Sequence, residues 1–213
     1  MKEKVLITGG SGLVGKELSK LLNSNNYDTA ILTRDINKRG SRTFYWDYEN
    51  GKLDQEAIEF ADIIVHLAGE GIANKRWTKE QKQRIIDSRV KTSNLLLDVI
   101  KKSKKKPHTI ISASAVGIYG IESSTKVYTE EDKGADDFVA DVVKQWESNV
   151  DKFESLGIRT IKLRIGIVIS KDGGAYQKMV LPVKLGLGSA LGSGNQFMPW
   201  IYIGDLTEMI LFS

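Results

Sequence analysis

The segment from residue 4 to residue 22 constrains the fold more than any other part of the chain. It begins with a short apolar run at residues 5–7 and continues through a glycine-rich segment at residues 8–15. Leu18 and Leu22 follow at helical spacing. A short, branched, non-alternating run is typical of a buried strand in a parallel sheet, and the leucines indicate an amphipathic helix. A strand, a glycine turn and a helix in this order predict the first half of a dinucleotide-binding unit.

Three glycines in this segment, Gly9, Gly12 and Gly15, follow the spacing Gly-x-x-Gly-x-x-Gly. We expect Gly9 at a tight turn that other residues enter with difficulty, and Gly12 where backbone approaches a diphosphate. Gly15 would let the helix pack closely against the strand. The helix N-terminus offers unpaired N–H groups and a positive dipole end to phosphates. The residues predicted to bind the cofactor here are Gly9, Ser11, Gly12, Leu13, Val14 and Gly15.

Composition excludes several classes of protein and site. With 41% hydrophobic and 27% charged residues, the 213-residue chain is ordinary for a globular protein. No apolar run approaches the length that crosses a bilayer, and no export signal opens the chain, so we expect a cytoplasmic protein without a membrane partner. The absence of cysteine excludes disulfides and thiolate chemistry. Only His66 and His108 could serve as imidazole ligands, and they lie far apart, so we predict no metal site.

A lysine-rich run at residues 101–106 contributes to the net charge of +4. One interpretation is contact with nucleic acid, and the other is a solvated helix end whose cations complement the helix dipole. No aromatic residue interleaves the run to stack on bases, which favours the second interpretation. We therefore expect no nucleic-acid partner.

Alternating strand and helix patterns predict an α/β fold with a Rossmann-like, doubly wound parallel sheet. We assign residues 1–165 to an NADP(H)-binding domain and residues 166–213 to a small, glycine-rich and apparently truncated substrate-side region. The predicted strands are 5–7, 28–32, 43–46, 62–67, 109–112, 159–164 and 197–203. The predicted helices after the first are 53–60, 78–102, 138–156 and 206–212.

The end of the second predicted strand bears on the choice between NADP(H) and NAD. A carboxylate there holds a ribose 2′-hydroxyl, whereas an arginine accommodates a 2′-phosphate. Arg34 stands at this position and favours NADP(H), but Asp35 follows it and keeps NAD open. Asp47, after the third strand, could accept a hydrogen bond from the adenine amino group.

The fourth predicted strand runs into Leu67, Ala68 and Gly69, where small side chains leave room for a ligand at the sheet edge. His66 lies inside the apolar run, and we interpret it as a core residue rather than a catalyst. Arg89, in the middle of the long helix, has two open interpretations: it contacts the cofactor, or it forms an ion pair on the helix face.

Together these motifs resemble the extended short-chain dehydrogenase/reductase superfamily. The segments that carry the resemblance are 8–15, 66–69, 112–114, 119–120 and 196–206. The chain is similar, more closely and over its whole length, to the cell-division-inhibitor-like subgroup of NAD-dependent epimerase family proteins. Segments 76–78, 88–90, 112–117, 146–147 and 185–188 carry this closer resemblance. It implies a nicotinamide cofactor, NADP(H) or NAD, a small-molecule substrate of unknown identity, and leaves a homodimer open.

In that superfamily a Tyr-x-x-x-Lys pair and a serine carry the chemistry, the lysine lowering the tyrosine pKa. The resemblance places the serine at Ser114, with Ser112 as the second choice. Register set from residues 146–147 puts the pair at Val139 and Val143, which cannot move a proton.

Tyr119 is the remaining candidate acid, and the alternative for it is a role in lining the pocket. Two functions therefore stay open. One is an oxidoreductase or epimerase with a non-standard acid or base, built on Ser114 and Tyr119. The other is a non-catalytic NADP(H)-binding sensor that passes the redox state to a partner.

Overall fold

A computed structural model describes residues 2–72, 75–122, 125–190 and 194–213. Its main sheet has seven strands in the order β4-β3-β2-β1-β5-β6-β7, and all neighbours are parallel except β3 and β4. The strands are β1 Lys4–Thr8, β2 Asp28–Thr33, β3 Thr43–Asp47, β4 Lys52–Leu53, β5 Ile63–His66, β6 Thr109–Ala115 and β7 Arg159–Ile165. A second sheet joins β8 Ile167–Ser170, β9 Gly173–Gly174 and β10 Trp200–Tyr202 in the order β10-β8-β9.

Helices cover both faces of the main sheet, as the parallel strands require. They are α1 Leu13–Ser24, α2 Gln55–Phe60, α3 Lys79–Lys102, α4 Phe138–Asp151, α5 Ala175–Lys184 and α6 Ile203–Phe212. Short 3-10 turns occupy Ile36–Lys38, Val116–Tyr119 and Glu154–Leu156. Among the residues described, no helix combines the length and apolarity needed to cross a bilayer. The predicted doubly wound α/β fold is confirmed.

Alternate residues of β1 point into two separate cores. Leu6 packs with residues of β2, β3, α3 and α4, whereas Val5 and Ile7 pack with Leu18 of α1 and Leu206 of α6. All five apolar side chains are essentially inaccessible to solvent. The non-alternating apolar run that suggested a buried strand thus reflects a strand covered on both faces.

The boundaries of α3 follow from its capping residues. The Thr78 hydroxyl accepts a hydrogen bond from the amide of Gln81 at 3.2 Å, which is one half of the predicted capping box. The reciprocal bond is not formed, because the Thr78 amide donates to the Arg76 carbonyl at 2.9 Å. The helix ends at Lys102, ahead of Pro107. In contrast, α5 was not among the predicted helices, although it contains the apolar residues Met179, Val180, Leu181 and Val183. None of its residues is buried, so its apolar side chains do not pack into either core.

A chain of hydrogen bonds ties the ends of β1 and β5 to α3. The Thr8 hydroxyl oxygen accepts from the amides of Leu67 and Ala68, each at 3.1 Å. Its own proton is therefore free to be donated to Nδ1 of His66, 2.7 Å away. Nε2 of the ring then carries the hydrogen and donates to the Ser93 hydroxyl at 3.2 Å. This arrangement defines a neutral imidazole.

The environment of His66 disfavours the protonated ring, as expected of a core residue. Burial, and then the nearby positive charge of Arg89, lower the pKa of His66 from 6.5 to about 4. His66 is completely buried, so its role in the structure is to link strand ends rather than to exchange protons with solvent.

We predict that acid destabilises the protein through His66. Between pH 6.5 and pH 4 the unfolded chain binds a proton at this residue and the folded protein does not. The free energy of unfolding should therefore fall by about 1.4 kcal/mol for each pH unit below 6.5. Urea unfolding of the wild type and His66→Gln across this range measures the effect. The variant should show a shallower pH dependence by this amount, and equal slopes would contradict the assignment.

Candidate functional site

A cavity of about 420 Å³ opens across the C-terminal ends of β1, β2, β3 and β5. In parallel α/β sheets this edge is where ligands bind, because the loops there diverge to opposite faces. The cavity is lined by Gly9, Ser11, Gly12, Leu32, Thr33, Arg34, Asp35, Trp46, Tyr48, Leu67, Ala68, Gly69, Glu70, Ser88 and Thr92. Seven of the residues predicted to bind the cofactor are in this lining: Gly9, Ser11, Gly12, Arg34, Leu67, Ala68 and Gly69.

The glycine turn owes its shape to close backbone contacts. Gly9 has a φ of +70°, and a Cβ atom there would lie 3.0 Å from the carbonyl of Leu67. Gly15 packs against the turn itself, since a Cβ atom would lie 2.5 Å from the Gly9 carbonyl oxygen. Leu13 and Val14 follow on α1 and are not part of the cavity lining.

The N-terminus of α1 is available to an anion. Gly12 occupies the N-cap position, no side chain caps the helix, and its first turn contains no acidic residue. The amide of Gly12 donates to the Gly9 carbonyl at 2.9 Å, which holds the turn against the helix. Amide groups and the positive dipole end therefore face the cavity without competition from a local carboxylate.

Arg34 and Asp35 differ in the groups that hold them. The Asp35 carboxylate accepts from the amide of Asn37 at 3.1 Å and pairs with Lys38 at 3.5 Å. It is thus engaged in capping the following 3-10 turn. Arg34 is exposed at the cavity, and no carboxylate among the described residues lies within ion-pair distance of it. The free cation is suited to a phosphate.

The Asp47 side chain is hydrogen-bonded within the turn that follows β3 and is not part of the cavity lining. Its carboxylate accepts from the amides of Glu49 and Asn50 and from the Asn50 side chain. The Asn50 side chain contributes most to a pKa of Asp47 below the ordinary value. The neighbours Trp46 and Tyr48 line the cavity instead. The adenine contact of Asp47 stays a prediction, and its carboxylate already has three hydrogen-bond donors.

Arg89, also predicted to bind the cofactor, is not in the cavity lining but lies beside Gly69, which is. A Cβ atom on Gly69 would come within 3.2 Å of the guanidinium carbon, which also lies 5.0 Å from the centre of the Trp146 ring. Its Nη1 donates to the Ile85 carbonyl at 3.0 Å and to the Ser88 hydroxyl at 3.3 Å. Burial lowers the pKa of Arg89 to about 10. The helix-face ion pair considered from the sequence is not formed with any described carboxylate.

Ser114 and Tyr119 belong to one network centred on an ion pair. The Ser114 hydroxyl donates to Glu147 at 2.5 Å, and Arg164 donates to both oxygens of the same carboxylate at 2.9 Å. Arg164 also donates to the Tyr119 oxygen at 2.7 Å, and the Tyr119 hydroxyl donates to the Thr129 carbonyl at 2.7 Å. The structure therefore brings the two predicted catalytic residues together through Glu147 and Arg164.

The ionised Glu147 carboxylate determines which groups of this network donate hydrogen bonds and which accept them. Burial raises the pKa of Glu147, but hydrogen bonds from Arg164 and Ser114 outweigh it, so the net pKa is below the ordinary value. The carboxylate stays ionised and accepts the Ser114 proton. Glu147 and Arg164 border a second cavity, of about 640 Å³. Ser114 and Tyr119 are in the lining of neither cavity. Ser112 is fully buried and donates to the backbone carbonyl of Ala113.

Val139 and Val143 are buried on α4. The Val139 side chain packs against the 3-10 turn after β6, since a Cβ atom on Gly117 would lie 2.6 Å from its methyl group. These positions thus present hydrocarbon rather than a proton carrier. Among the described residues, no group of three or more histidine, aspartate or glutamate side chains could hold a metal ion.

Sequence reasoning missed several residues of the cavity wall. Trp46 and Tyr48 flank the end of β3, and Ser88 and Thr92 lie on the sheet-facing side of α3. The sequence contains a pattern that points to Ser88 and Thr92, because these polar side chains recur at helical spacing after Ile85, within an otherwise apolar stripe. Polar residues at such positions indicate either a polar core or a ligand.

Comparison with a family model and comparison with individual related proteins point to the same family. The family model described as "NAD dependent epimerase/dehydratase family" matches residues 5–213. An epimerase family protein of Staphylococcus saprophyticus is 40% identical over 208 residues, which cover 97% of this chain and 69% of the relative.

Two solved structures are similar in fold and sequence. One is the human epimerase family protein SDR39U1 with NADPH, with a TM-score of 0.81 and 33% identity, covering 98% of this chain and 68% of that one. The other is a nucleoside-diphosphate sugar epimerase from Corynebacterium glutamicum, with a TM-score of 0.84 and 32% identity, covering 99% of this chain and 43% of that one.

The close packing of the glycine turn yields a stability prediction. Gly15→Ala places a methyl group against backbone atoms of Gly9 and Gly10 that cannot rotate away. We expect a loss of about 1–3 kcal/mol in the free energy of unfolding. Gly40→Ala is the matched control, because nothing lies within 4 Å of the added atom, and it should change stability by no more than about 0.5 kcal/mol. Chemical denaturation of both variants measures the difference, and equal effects would contradict the packing account.

Proposed function

The chain belongs to the NAD-dependent epimerase/dehydratase family, and on that premise we propose that it binds NADP(H) in the strand-end cavity as an oxidoreductase or epimerase. The observation that carries this proposal is the composition of one cavity wall. The glycine turn at Gly9 and Gly12, the uncapped N-terminus of α1 and the free cation Arg34 all border the same space. Backbone amides suit a diphosphate, and the guanidinium suits a further phosphate.

Preference for NADP(H) over NAD rests on the side chains that follow β2. Arg34 and Asp35 both border the cavity and are exposed, but the Asp35 carboxylate is engaged in its own turn, whereas Arg34 has no described carboxylate partner. The human relative was solved with NADPH, which supports the same choice.

For catalysis, a bound nicotinamide supplies the hydride donor or acceptor. The residues of this chain then have to bind a small-molecule substrate and orient its reacting oxygen. Ser114 and Tyr119 are the proposed groups, and Glu147 with Arg164 holds them in place. The resemblance puts the usual pair at Val139 and Val143, which are buried hydrocarbon side chains, and on that alignment we propose that proton transfer uses this network.

A non-catalytic NADP(H) sensor is the second candidate. It is favoured by the direction of the hydrogen bonds, because the Ser114 proton is donated to Glu147 and the Tyr119 proton to the Thr129 carbonyl. Neither hydroxyl has a proton left for a substrate unless one of these bonds breaks.

Cofactor selectivity tests the proposed binding site. Arg34→Met should weaken NADPH binding at least about tenfold, because a charge-assisted contact to the 2′-phosphate is lost. NADH lacks that phosphate and is the matched control, so its affinity should change by less than about threefold. Calorimetric titration of both proteins with both cofactors gives the four constants. A wild type that binds NADPH and NADH equally would overturn the preference, and one that binds neither would overturn the function.

Turnover separates the enzyme from the sensor. NADPH or NADP⁺ bound to the wild type is incubated with carbonyl compounds and nucleotide sugars, and conversion is followed by cofactor absorbance and by NMR of the products. Conversion that Ser114→Ala and Tyr119→Phe both reduce at least about a hundredfold would establish the enzyme, since lost acid–base or orienting groups have effects of that size. Tight cofactor binding without conversion across the panel would favour the sensor.

A further inference from the structure

Residues 125–133 form an exposed strap that covers the hydroxyl of Tyr119. The strap contains no helix or strand, and each of its residues except Asp132 is exposed to solvent. The Tyr119 hydroxyl donates to the Thr129 carbonyl of the strap at 2.7 Å, and the rings of Tyr119 and Tyr128 stack with their centroids 4.7 Å apart. A backbone carbonyl of this chain therefore accepts the hydrogen bond that the proposed acid would give to a substrate.

Arg164 contacts the next residue of the strap. Its Nη1 donates to the Tyr119 oxygen at 2.7 Å and to the Glu130 carbonyl at 3.4 Å. Two successive carbonyl oxygens of the strap thus accept from a phenol and from a guanidinium that lie side by side. Such a pair of donors is suited to the oxygen atoms of a substrate. The strap satisfies these donors as a substrate would.

The second cavity lies beside this contact. Glu130, Glu147 and Arg164 border it, and its volume of about 640 Å³ is within the range of small-molecule sites. Tyr119 is not in its lining, although Arg164, which binds the Tyr119 oxygen, is. Thr129 at the hydroxyl and Glu130 at the cavity wall are consecutive residues. The strap therefore lies between the proposed acid and a cavity that has room for a substrate.

The strap is held by contacts that contribute little free energy in water. Beyond its C-terminal end the chain is tied down, because the Ala135 amide donates to the Ile118 carbonyl at 2.9 Å. Within the strap, the contacts are the tyrosine stack, the two carbonyl bonds and an exposed ion pair of Lys126 with Asp132. Exposed hydrogen bonds and ion pairs are individually weak, and segments with few buried contacts open locally at low cost.

We propose that residues 125–133 are an autoinhibitory strap, which a substrate displaces when its oxygen replaces the Thr129 carbonyl at Tyr119. The second cavity then receives the rest of the substrate. The proposal rests on the oxidoreductase or epimerase function proposed above, in which Tyr119 takes part in catalysis. Displacement of the strap releases the Tyr119 proton without any change in the ion pair of Glu147 with Arg164.

The first test loosens the strap and leaves Tyr119 in place. Tyr128→Ala removes the ring stack, and Val127→Ala is the matched control, because that side chain is 88% exposed. Trypsin cleavage after Lys126 and Lys133, normalised to the same bonds in the unfolded chain, measures opening, since proteolysis follows the population of the open form. Tyr128→Ala should raise the normalised rate at least about threefold, and Val127→Ala should change it less than about twofold.

A second variant loosens the strap by a different route. Asp132→Ala removes the ion pair with Lys126 and the acceptor of the Thr129 amide, which lies 2.7 Å from the carboxylate. It should also raise the normalised cleavage rate at least about threefold, because a charged hydrogen-bond acceptor is lost. This variant keeps the proposal testable if Tyr128→Ala does not fold.

Turnover distinguishes autoinhibition from a purely structural contact. With NADPH and the panel of carbonyl compounds and nucleotide sugars, each loosened variant should raise kcat/KM at least about threefold, because a larger fraction of the protein is open to substrate. Its affinity for NADPH should change less than about twofold, since the strap is not in the lining of the strand-end cavity. The gain should be absent when Tyr119→Phe is added, because no hydroxyl is then released.

Unchanged cleavage in both loosened variants would overturn the proposal. Faster cleavage without a gain in conversion would also overturn it, as would a gain that persists with Tyr119→Phe or NADPH binding without conversion by any variant. Failure of the proposed function is distinguishable, because in that case the wild type binds neither NADPH nor NADH.

Discussion

The site depends on the contact between the glycine turn and the end of β5, where backbone meets backbone with no side chain between. Gly9 touches the Leu67 carbonyl, and Gly15 seats α1 on the turn. The Thr8 hydroxyl then binds the amides of Leu67 and Ala68, so the two strand ends are joined by hydrogen bonds as well as by packing. Because this contact sets both the direction of α1 and the path of the chain after β5, it determines two walls of the cavity at once.

Electrostatic coupling extends from this contact into α3. His66 is held neutral by burial and by the positive charge of Arg89, and Ser93 connects the imidazole to the Arg89 carbonyl through a hydrogen bond of 2.8 Å. The neutral ring adds no second positive charge next to the guanidinium. Arg89 therefore stays a single localised cation at the cavity margin, which suits one anionic group rather than a diffuse basic surface.

The sequence predicted the parts of the structure that local physics determines. Gly9 and Gly12 were recognisable because their spacing follows a strand and opens a helix, and Thr78 because it caps one. The walls formed by Trp46 and Ser88 were not predicted, because strand order in space decides which side chains share a cavity. Nor does any spacing in the sequence show that Glu147 and Arg164 pair, since α4 and β7 meet only through the fold.

That ion pair also decides what Ser114 can do. The Glu147 carboxylate, whose pKa is lowered by hydrogen bonds from Arg164 and Ser114, stays ionised and accepts a hydrogen bond from the Ser114 hydroxyl, so the Ser114 oxygen offers lone pairs to a ligand. Such an oxygen can accept a hydrogen bond from an alcohol or an amide, but it can donate to a carbonyl only after leaving Glu147.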